Sequence, residues 1–377
     1  MTATLRNPLV VLAAGGTGGH VFPADALAAA LLERGCELSL FTDARGRGYG
    51  GTLGRIAVHP LAAAGIAGRG VLSRLAAMGA LGLGTVQAWR LLGRLKPAVV
   101  VGFGGYASVP GMAGAVLRGI PTVIHEQNAV LGRANRLLAG RVSRLATAFA
   151  EVAALPRGTL AVRVGMPVRP AIAALAGRPF PTPAADGPIG ILVLGGSQGA
   201  TALSEVVPRA LAALPAALKS RIRLSQQCRP ADIAGVRAAY ENSGIAVELA
   251  TFFDDVPERL ERTHLAIARA GASTVAELTA AGRPAILVPY PHATDDHQSA
   301  NARAVAAAGG AWVMPQTAFT PEALSARLAD LLADPAALAD AARCAGAFGI
   351  PDAAGRLADL VCSLIPGFSQ ARPEAAP

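Results

Sequence analysis

The chain has 377 residues, 52% of them hydrophobic and 4% aromatic, with a formal net charge of +9. That length allows about two domains of ordinary size, and the apolar content is enough to give each a core. Aromatic residues are scarce and no helix-turn-helix, zinc or aromatic-basic pattern occurs, which argues against nucleic acid as the partner of the positive charge.

In chain order, short apolar runs alternate with longer helical patterns, which reads as α/β throughout. The N-terminus, MTATLRNP, leads straight into the first strand and carries no signal-peptide pattern. Strands are predicted at Val10–Ala14, Glu37–Phe41, Ala98–Phe103, Pro121–His125 and Leu160–Val164, with helices at Ala24–Arg34 and Met112–Arg118. Val71–Leu92 is apolar, but Arg74 and Arg90 bracket only 15 residues, and a membrane-spanning helix needs about 20. Two readings stay open for it. It is a surface element lying in the headgroup region, with Val71, Leu72, Arg74, Leu75 and Met78 as its contact patch, or a buried helix of the first domain.

The proline-rich run at 166–188 reads as a linker between a first domain at 1–165 and a second at 189–365. The second half restarts with strands at Ile189–Leu194, Ile222–Gln226, Ala246–Ala250, Leu265–Ala268, Ala285–Val288 and Ala311–Met314. Helices at Pro321–Leu332 and Asp352–Leu364 follow, and the tail at 366–377 is expected to be disordered.

Charge divides with the domains. Residues 1–165 hold 17 basic and 6 acidic side chains, against 17 and 19 in the rest. A basic first domain points to an anionic partner, and an anionic membrane surface is the candidate left. The cysteines Cys36, Cys228, Cys344 and Cys362 have neither metal-ligand nor redox-motif spacing and read as reduced thiols.

Chemistry concentrates at strand ends. PLVVLAAGGTGGH and IGILVLGGSQGA each end an apolar strand in glycines and open a helix, a combination that stabilises phosphate or a developing anion. Neither fits the dinucleotide fingerprint, because Val21 stands where the third glycine belongs and GGSQGA has no G-x-G. His20 opens the helix after the first loop, a position suited to a general base kept neutral by the helix N-terminus. HEQN, His125–Asn128, ends another strand and reads either as ligand contact or as turn chemistry. Thr274 and Glu277 form a T-x-x-E capping box, so a ligand role for Glu277 stays open. His292, Asp295, Asp296, His297, Gln298 and Asn301 cluster after a strand, a set better suited to sugar hydroxyls than to metal.

Eight segments, GGTGGHVFPA, GFGGYAS, HEQN, GMPVRP, LGGSQGA, FFDD, ARAGASTVAEL and DDHQSANA, stand in the order and spacing of one family. Over about residues 8–350 the sequence resembles MurG, the family that transfers N-acetylglucosamine (GlcNAc) from UDP-GlcNAc to undecaprenyl-pyrophosphoryl-MurNAc-pentapeptide, lipid I. The resemblance implies a GT-B fold, two Rossmann-like α/β domains with parallel sheets facing a central cleft. It also implies that the last helix packs back on the first domain.

The resemblance implies donor contacts at Ser197 and Gln198 for the diphosphate, Glu277 with Thr274 for the ribose, and Phe253 for uracil through its backbone. His297 and Gln298 would read the sugar hydroxyls, with Asn128, Arg169, Thr17, Gly18 and Gly19 also on the donor side. Gly16, Tyr106, Glu126 and Arg144 would meet the acceptor, and His20 would be the catalytic base. No cofactor or metal is implied, UDP-GlcNAc being a substrate. Peripheral attachment to anionic lipid at the cytoplasmic face of the inner membrane is implied, as are cell-wall synthesis and division proteins as partners. Met166 departs from the asparagine of the family's GNPVR motif, and His297 replaces the first of two glutamines. The alternatives are another GT-B glycolipid transferase, a UDP-GlcNAc epimerase, and a sugar-nucleotide sensor without activity.

Overall fold

The computed structural model describes residues 7–16, 18–44, 49–65, 70–184, 186–196 and 199–368, with the backbone alone at Val71 and Leu72. Two compact units emerge, one of Met1–Arg169 with Asp352–Pro377 and the other of Pro170–Pro351.

The first unit is built on a parallel sheet of seven strands. These are β1 (Leu9–Ala13), β2 (Glu37–Thr42), β3 (Ala57–Pro60), β4 (Val99–Gly102), β5 (Thr122–Glu126), β6 (Arg144–Thr147) and β7 (Ala161–Arg163). Their order across the sheet is β3-β2-β1-β4-β5-β6-β7. In β1, β4 and β5 every residue but Leu9 is buried, as expected of parallel strands covered on both faces. The order reverses between β1 and β4, so the crevice beyond their carboxyl ends is where this topology places ligands.

The second unit repeats the plan with β8 (Ile189–Leu194), β9 (Ile222–Gln227), β10 (Ala246–Ala250), β11 (Leu265–Ala268), β12 (Ala285–Leu287) and β13 (Ala311–Val313). Their order is β10-β9-β8-β11-β12-β13, with the reversal between β8 and β11. Its core joins Ile191 and Val193 of β8 to Leu203 and Val207 of the next helix and to Leu324 and Leu328 near its end.

The second unit ends at Pro351, short of the boundary at 365 read from sequence. The reason is the Ala353–Cys362 helix, whose Leu357, Ala358, Val361 and Cys362 enter the same core as Val10, Leu12 and Leu31. Arg34 locks it there, donating to Asp359 Oδ1 through Nη2 at 2.8 Å and to the Gly355 carbonyl at 3.2 Å. The chain changes unit at Arg169–Pro170. The short Pro170–Ala173 helix, inside the segment read as linker, therefore belongs to the second unit. Residues 369–377 of the tail lie outside the described residues.

The Val71–Leu95 helix has 25 residues and two apolar faces. Ala77, Leu81, Ala88 and Leu92 are buried. This face lies close to the Gly105–Leu117 helix, where a Cβ on Gly114 would meet Ala88 Cβ at 3.0 Å. On the other side Leu75, Met78, Leu83 and Val86 are exposed, and Arg74 and Arg90 are exposed beside them. The buried-helix reading holds for one face, and the other face is exposed. Among the described residues no helix is long and apolar enough to cross a membrane.

Candidate functional site

Three motifs of the first unit come together because β1, β4 and β5 are neighbours and parallel. Each strand hands its carboxyl end to a chemically loaded loop. After β1 the chain turns through Gly16, at φ 90°, into the Gly18–Glu33 helix, placing His20 in the first turn. After β4, Gly104 and Gly105 take φ of 82° and 69°, and a Cβ on Gly105 would lie 3.3 Å from Cδ2 of His20. Glycine at 105 therefore satisfies both a left-handed backbone and the close approach of the histidine ring.

His20 sits low in this crevice, and its Nδ1 is buried without a hydrogen-bond partner. Burial lowers its pKa below the usual histidine value, although the Glu126 charge, the Gln127 side chain and the Phe103 carbonyl pull the other way. The ring is held neutral near pH 7, the form that can accept a proton.

After β5, the buried Glu126 carboxylate organises the loop. Its Oε1 accepts from the backbone and side-chain nitrogens of Asn128 at 2.9 and 3.3 Å. Its Oε2 accepts from Gly132 N at 2.8 Å and Asn135 Nδ2 at 2.7 Å. Glu126 was expected to meet an acceptor, yet both oxygens are committed inside the unit, so it shapes the loop that carries Asn128. Tyr106 packs beside Leu81, Val109 and Ala134.

Arg144 is not brought to this crevice. It pairs with Val123 in the sheet, whereas Thr147, at the other end of β6, pairs with Glu126. Three residues of strand separate those levels, about 10 Å at the rise of a parallel strand. The Arg144 guanidinium donates to the Ser143 carbonyl at 2.7 Å.

The second unit builds a matching set of strand ends. Gly195, Gly196 and Gly199 follow β8, and Gly199 N closes a turn on Gly196 O at 3.0 Å. Gly199 has φ 69°, and a Cβ there would strike Arg229 Cγ at 2.3 Å. Thr17, Ser197 and Gln198 lie outside the described residues.

After β11, the Ala272–Ala280 helix takes Gly271 as its N-cap, with no side-chain cap bond. The expected T-x-x-E box is therefore absent. Thr274 lies in the first turn and Glu277 a full turn further on, both half-buried. After β12, Asp295 and Asp296 adopt left-handed φ of 54° and 52° to swing the chain into the His297–Ala307 helix. Such residues cost about 1–3 kcal/mol each and gather at functional loops. His297 Nδ1 lies 2.8 Å from the Thr294 carbonyl, and Gln298 Oε1 accepts from Tyr290 N at 2.9 Å. Asn301, fully buried, ties this helix to the loop after β11 by donating to Ala270 O at 3.0 Å. Phe253 is buried, with the Arg259 guanidinium 3.9 Å above its ring.

Both units match glycosyltransferase family 28, residues 10–147 its N-terminal domain and residues 190–357 its C-terminal domain. The chain is 62% identical over 368 residues to the UDP-N-acetylglucosamine–N-acetylmuramyl-(pentapeptide) pyrophosphoryl-undecaprenol N-acetylglucosamine transferase of Paramagnetospirillum magneticum, covering 97% of this chain and 99% of that one. The Rhodospirillum rubrum protein of the same description is 58% identical, with 93% and 91% covered. The crystal structure of Acinetobacter baumannii MurG superposes with a TM-score of 0.76 at 33% identity, covering 94% of this chain and 99% of that one. The chain belongs to the MurG family.

Membership fixes the fold as GT-B and the chain as a glycosyltransferase. The departure at Met166 has a simple physical form, since the side chain is buried, where a thioether packs without needing a polar partner. In the sequence Gln127 and Asn301 read only as members of candidate ligand-facing motifs, and Asn135 and Arg269 draw no notice, whereas in the structure these residues hold the loops at the strand ends of each unit. Gln127, Asn135 and Asn301 are each buried and hydrogen-bonded, and Arg269 donates to the Val288 and Pro289 carbonyls at 3.1 Å. Their signal lay inside the quoted motifs, or a few residues beyond them for Asn135, as polar residues at strand ends with no surface role.

Proposed function

We propose that the chain transfers GlcNAc from UDP-GlcNAc to the 4-hydroxyl of the MurNAc residue in lipid I, inverting the anomeric carbon. The observation that carries this reading is the 62% identity, over 97% of the chain, to a transferase named for that reaction. The second unit holds the donor, with the glycine turn after β8 toward the diphosphate, Glu277 toward the ribose, and His297 and Gln298 toward the sugar. The first unit holds the acceptor at the ends of β1, β4 and β5. His20 takes the proton from the attacking hydroxyl, a role worth about 100- to 10,000-fold in rate. Charge growing on the departing β-phosphate falls to backbone N–H groups and the N-terminus of the Thr201–Ala212 helix. UDP-GlcNAc enters as a substrate, and the scheme calls on no cofactor or protein-bound metal.

The exposed stripe of Leu75, Met78, Leu83 and Val86, edged by Arg74 and Arg90, supports attachment to an anionic lipid surface, where the acceptor resides. The test of the reaction is incubation of UDP-[14C]GlcNAc with a lipid I analogue. Label should move to the analogue as a lipid-linked disaccharide, and label confined to water-soluble sugars would overturn the proposal.

A further inference from the structure

We infer that Arg229 is a positioning residue for the donor's diphosphate. Its aliphatic stem braces Gly199 and so holds the turn after β8 in the shape that presents backbone N–H groups to the phosphates. This rests on the reading that the turn meets the diphosphate, and adds what keeps it in place.

The turn needs support by its composition. Gly195, Gly196 and Gly199 carry no side chains to wedge it, and Gly196 and Gly199 take φ of 78° and 69°. Glycine loses more freedom on ordering than any other residue, so a turn rich in it is held from outside. The chain is also folded back tightly here, since a Cβ on Gly195 would meet Ala200 N at 2.7 Å. Ala200 then takes the N-cap place of the Thr201–Ala212 helix with no side-chain cap bond. First-turn N–H groups have no partner within their own helix, and alanine has no oxygen to offer them, so an anion at the turn can take them.

The support comes from β9. β8 and β9 are parallel neighbours, with Val193 opposite Gln226, so both deliver their carboxyl ends to the same edge of the sheet. Arg229 stands two residues past the end of β9. Just before it, Cys228 N donates to Ala250 O at 2.9 Å and pins the chain. Three successive stem carbons of Arg229 face Gly199, with Cγ, Cδ and Cβ at 2.3, 3.2 and 3.6 Å from where a Cβ of residue 199 would stand. The far end of the side chain is fixed as well. Nε donates to Asp232 Oδ2 and Nη2 to Asp232 Oδ1, each at 2.8 Å. A two-pronged bond of this kind sets direction as well as distance, and it keeps the stem against the glycine. The Asp232 carboxylate also offsets the guanidinium charge, so what Arg229 gives the turn is shape.

The test separates the phosphates from the rest of the nucleotide. Affinities of the full chain are measured by isothermal titration, directly for UDP and by competition for uridine. The wild type should hold UDP at least about tenfold more tightly than uridine. Arg229→Ala, which deletes the stem, should weaken UDP about tenfold, the size of one charge-assisted hydrogen bond lost, and leave uridine within about twofold. Arg229→Met keeps an atom at each of the Cβ, Cγ and Cδ places without the charge, and should hold UDP within about threefold of the wild type. An unchanged UDP affinity in Arg229→Ala, an equal loss for uridine, or a loss in Arg229→Met as deep as in Arg229→Ala overturns the inference. Should Arg229→Ala not fold, Asp232→Ala decides in its place, because it frees the fork and lets the stem leave Gly199. An undiminished UDP affinity in that variant overturns the inference too. Failure of the underlying reading shows separately, as a wild type that binds uridine as tightly as UDP.

Discussion

Asn135 donates its side-chain amide to Oε2 of Glu126 across 2.7 Å, with both residues buried, and this bond joins the turn after β5 to the short Arg133–Arg136 helix. Among the described residues Glu126 accepts four hydrogen bonds, two of them from backbone N–H groups. Its replacement by Ala leaves the buried Asn135 amide and the half-buried Asn128 and Gly132 donors without this acceptor, a loss of about 1–3 kcal/mol. Glu126→Ala should therefore lower the urea midpoint of unfolding measurably. A variant with wild-type stability and lost activity would return Glu126 to a role in direct acceptor contact.

His20→Ala should reduce kcat by about 100- to 10,000-fold with little change in the affinity for UDP-GlcNAc. Burial lowers the pKa of His20, so the base stays competent below the usual histidine range. The acid limb of the kcat/KM profile should accordingly lie below about pH 6.5. Steady-state kinetics across pH check both, and an acid limb above that value would contradict the buried, neutral imidazole.

Burial pushes His125 down to about 4. The unfolded chain takes up that proton near pH 6.5 and the folded chain only near 4, so stability is full above 6.5 and is lost as pH falls through this window. At pH 4 the loss approaches about 3 kcal/mol. His125→Asn should remove this contribution. Urea midpoints of the wild type and variant should therefore converge as pH drops from 7 to 4.5, whereas a constant gap would place His125 in a charged or solvated state.

How far the fold was legible depends on the strand. β1, β4, β8 and β11 are Val, Leu, Ile and Ala apart from Gly102 and Gly190, and all but Leu9 and Gly190 are buried, so such runs announce themselves. β3 and β6 did not. β3 is AVHP, an edge strand with a proline, and β6 is RLAT, four residues opening on an exposed-type side chain. In both cases pairing with a neighbour defines the strand, and pairing leaves little local pattern. The capping box at Thr274 and Glu277 failed for a related reason, since the helix starts at Gly271 and tertiary context sets that start. Arg144 was carried to the acceptor side by the resemblance alone, and its strand, β6, was not read from the sequence. Without the strand nothing in the sequence said which end of the sheet that residue occupies. His20, by contrast, was legible because its loop and helix are consecutive in the chain.

Leu75 and Met78 are 59% and 60% exposed on the helix that carries the apolar stripe. Replacing both with Glu should weaken binding to vesicles containing anionic lipid by tenfold or more, since each buried apolar side chain contributes roughly 1.5–3 kcal/mol. Turnover of a water-soluble acceptor analogue should be unchanged. Flotation of both proteins with vesicles at two salt concentrations measures this. Equal binding by wild type and variant would assign the stripe to another partner.

The most direct measurement is UDP release from UDP-GlcNAc, followed continuously with and without a lipid I analogue. The account predicts release only when the analogue is present, matched mole for mole by disaccharide product. Equal release in its absence would contradict it and assign the chain to an epimerase or hydrolase.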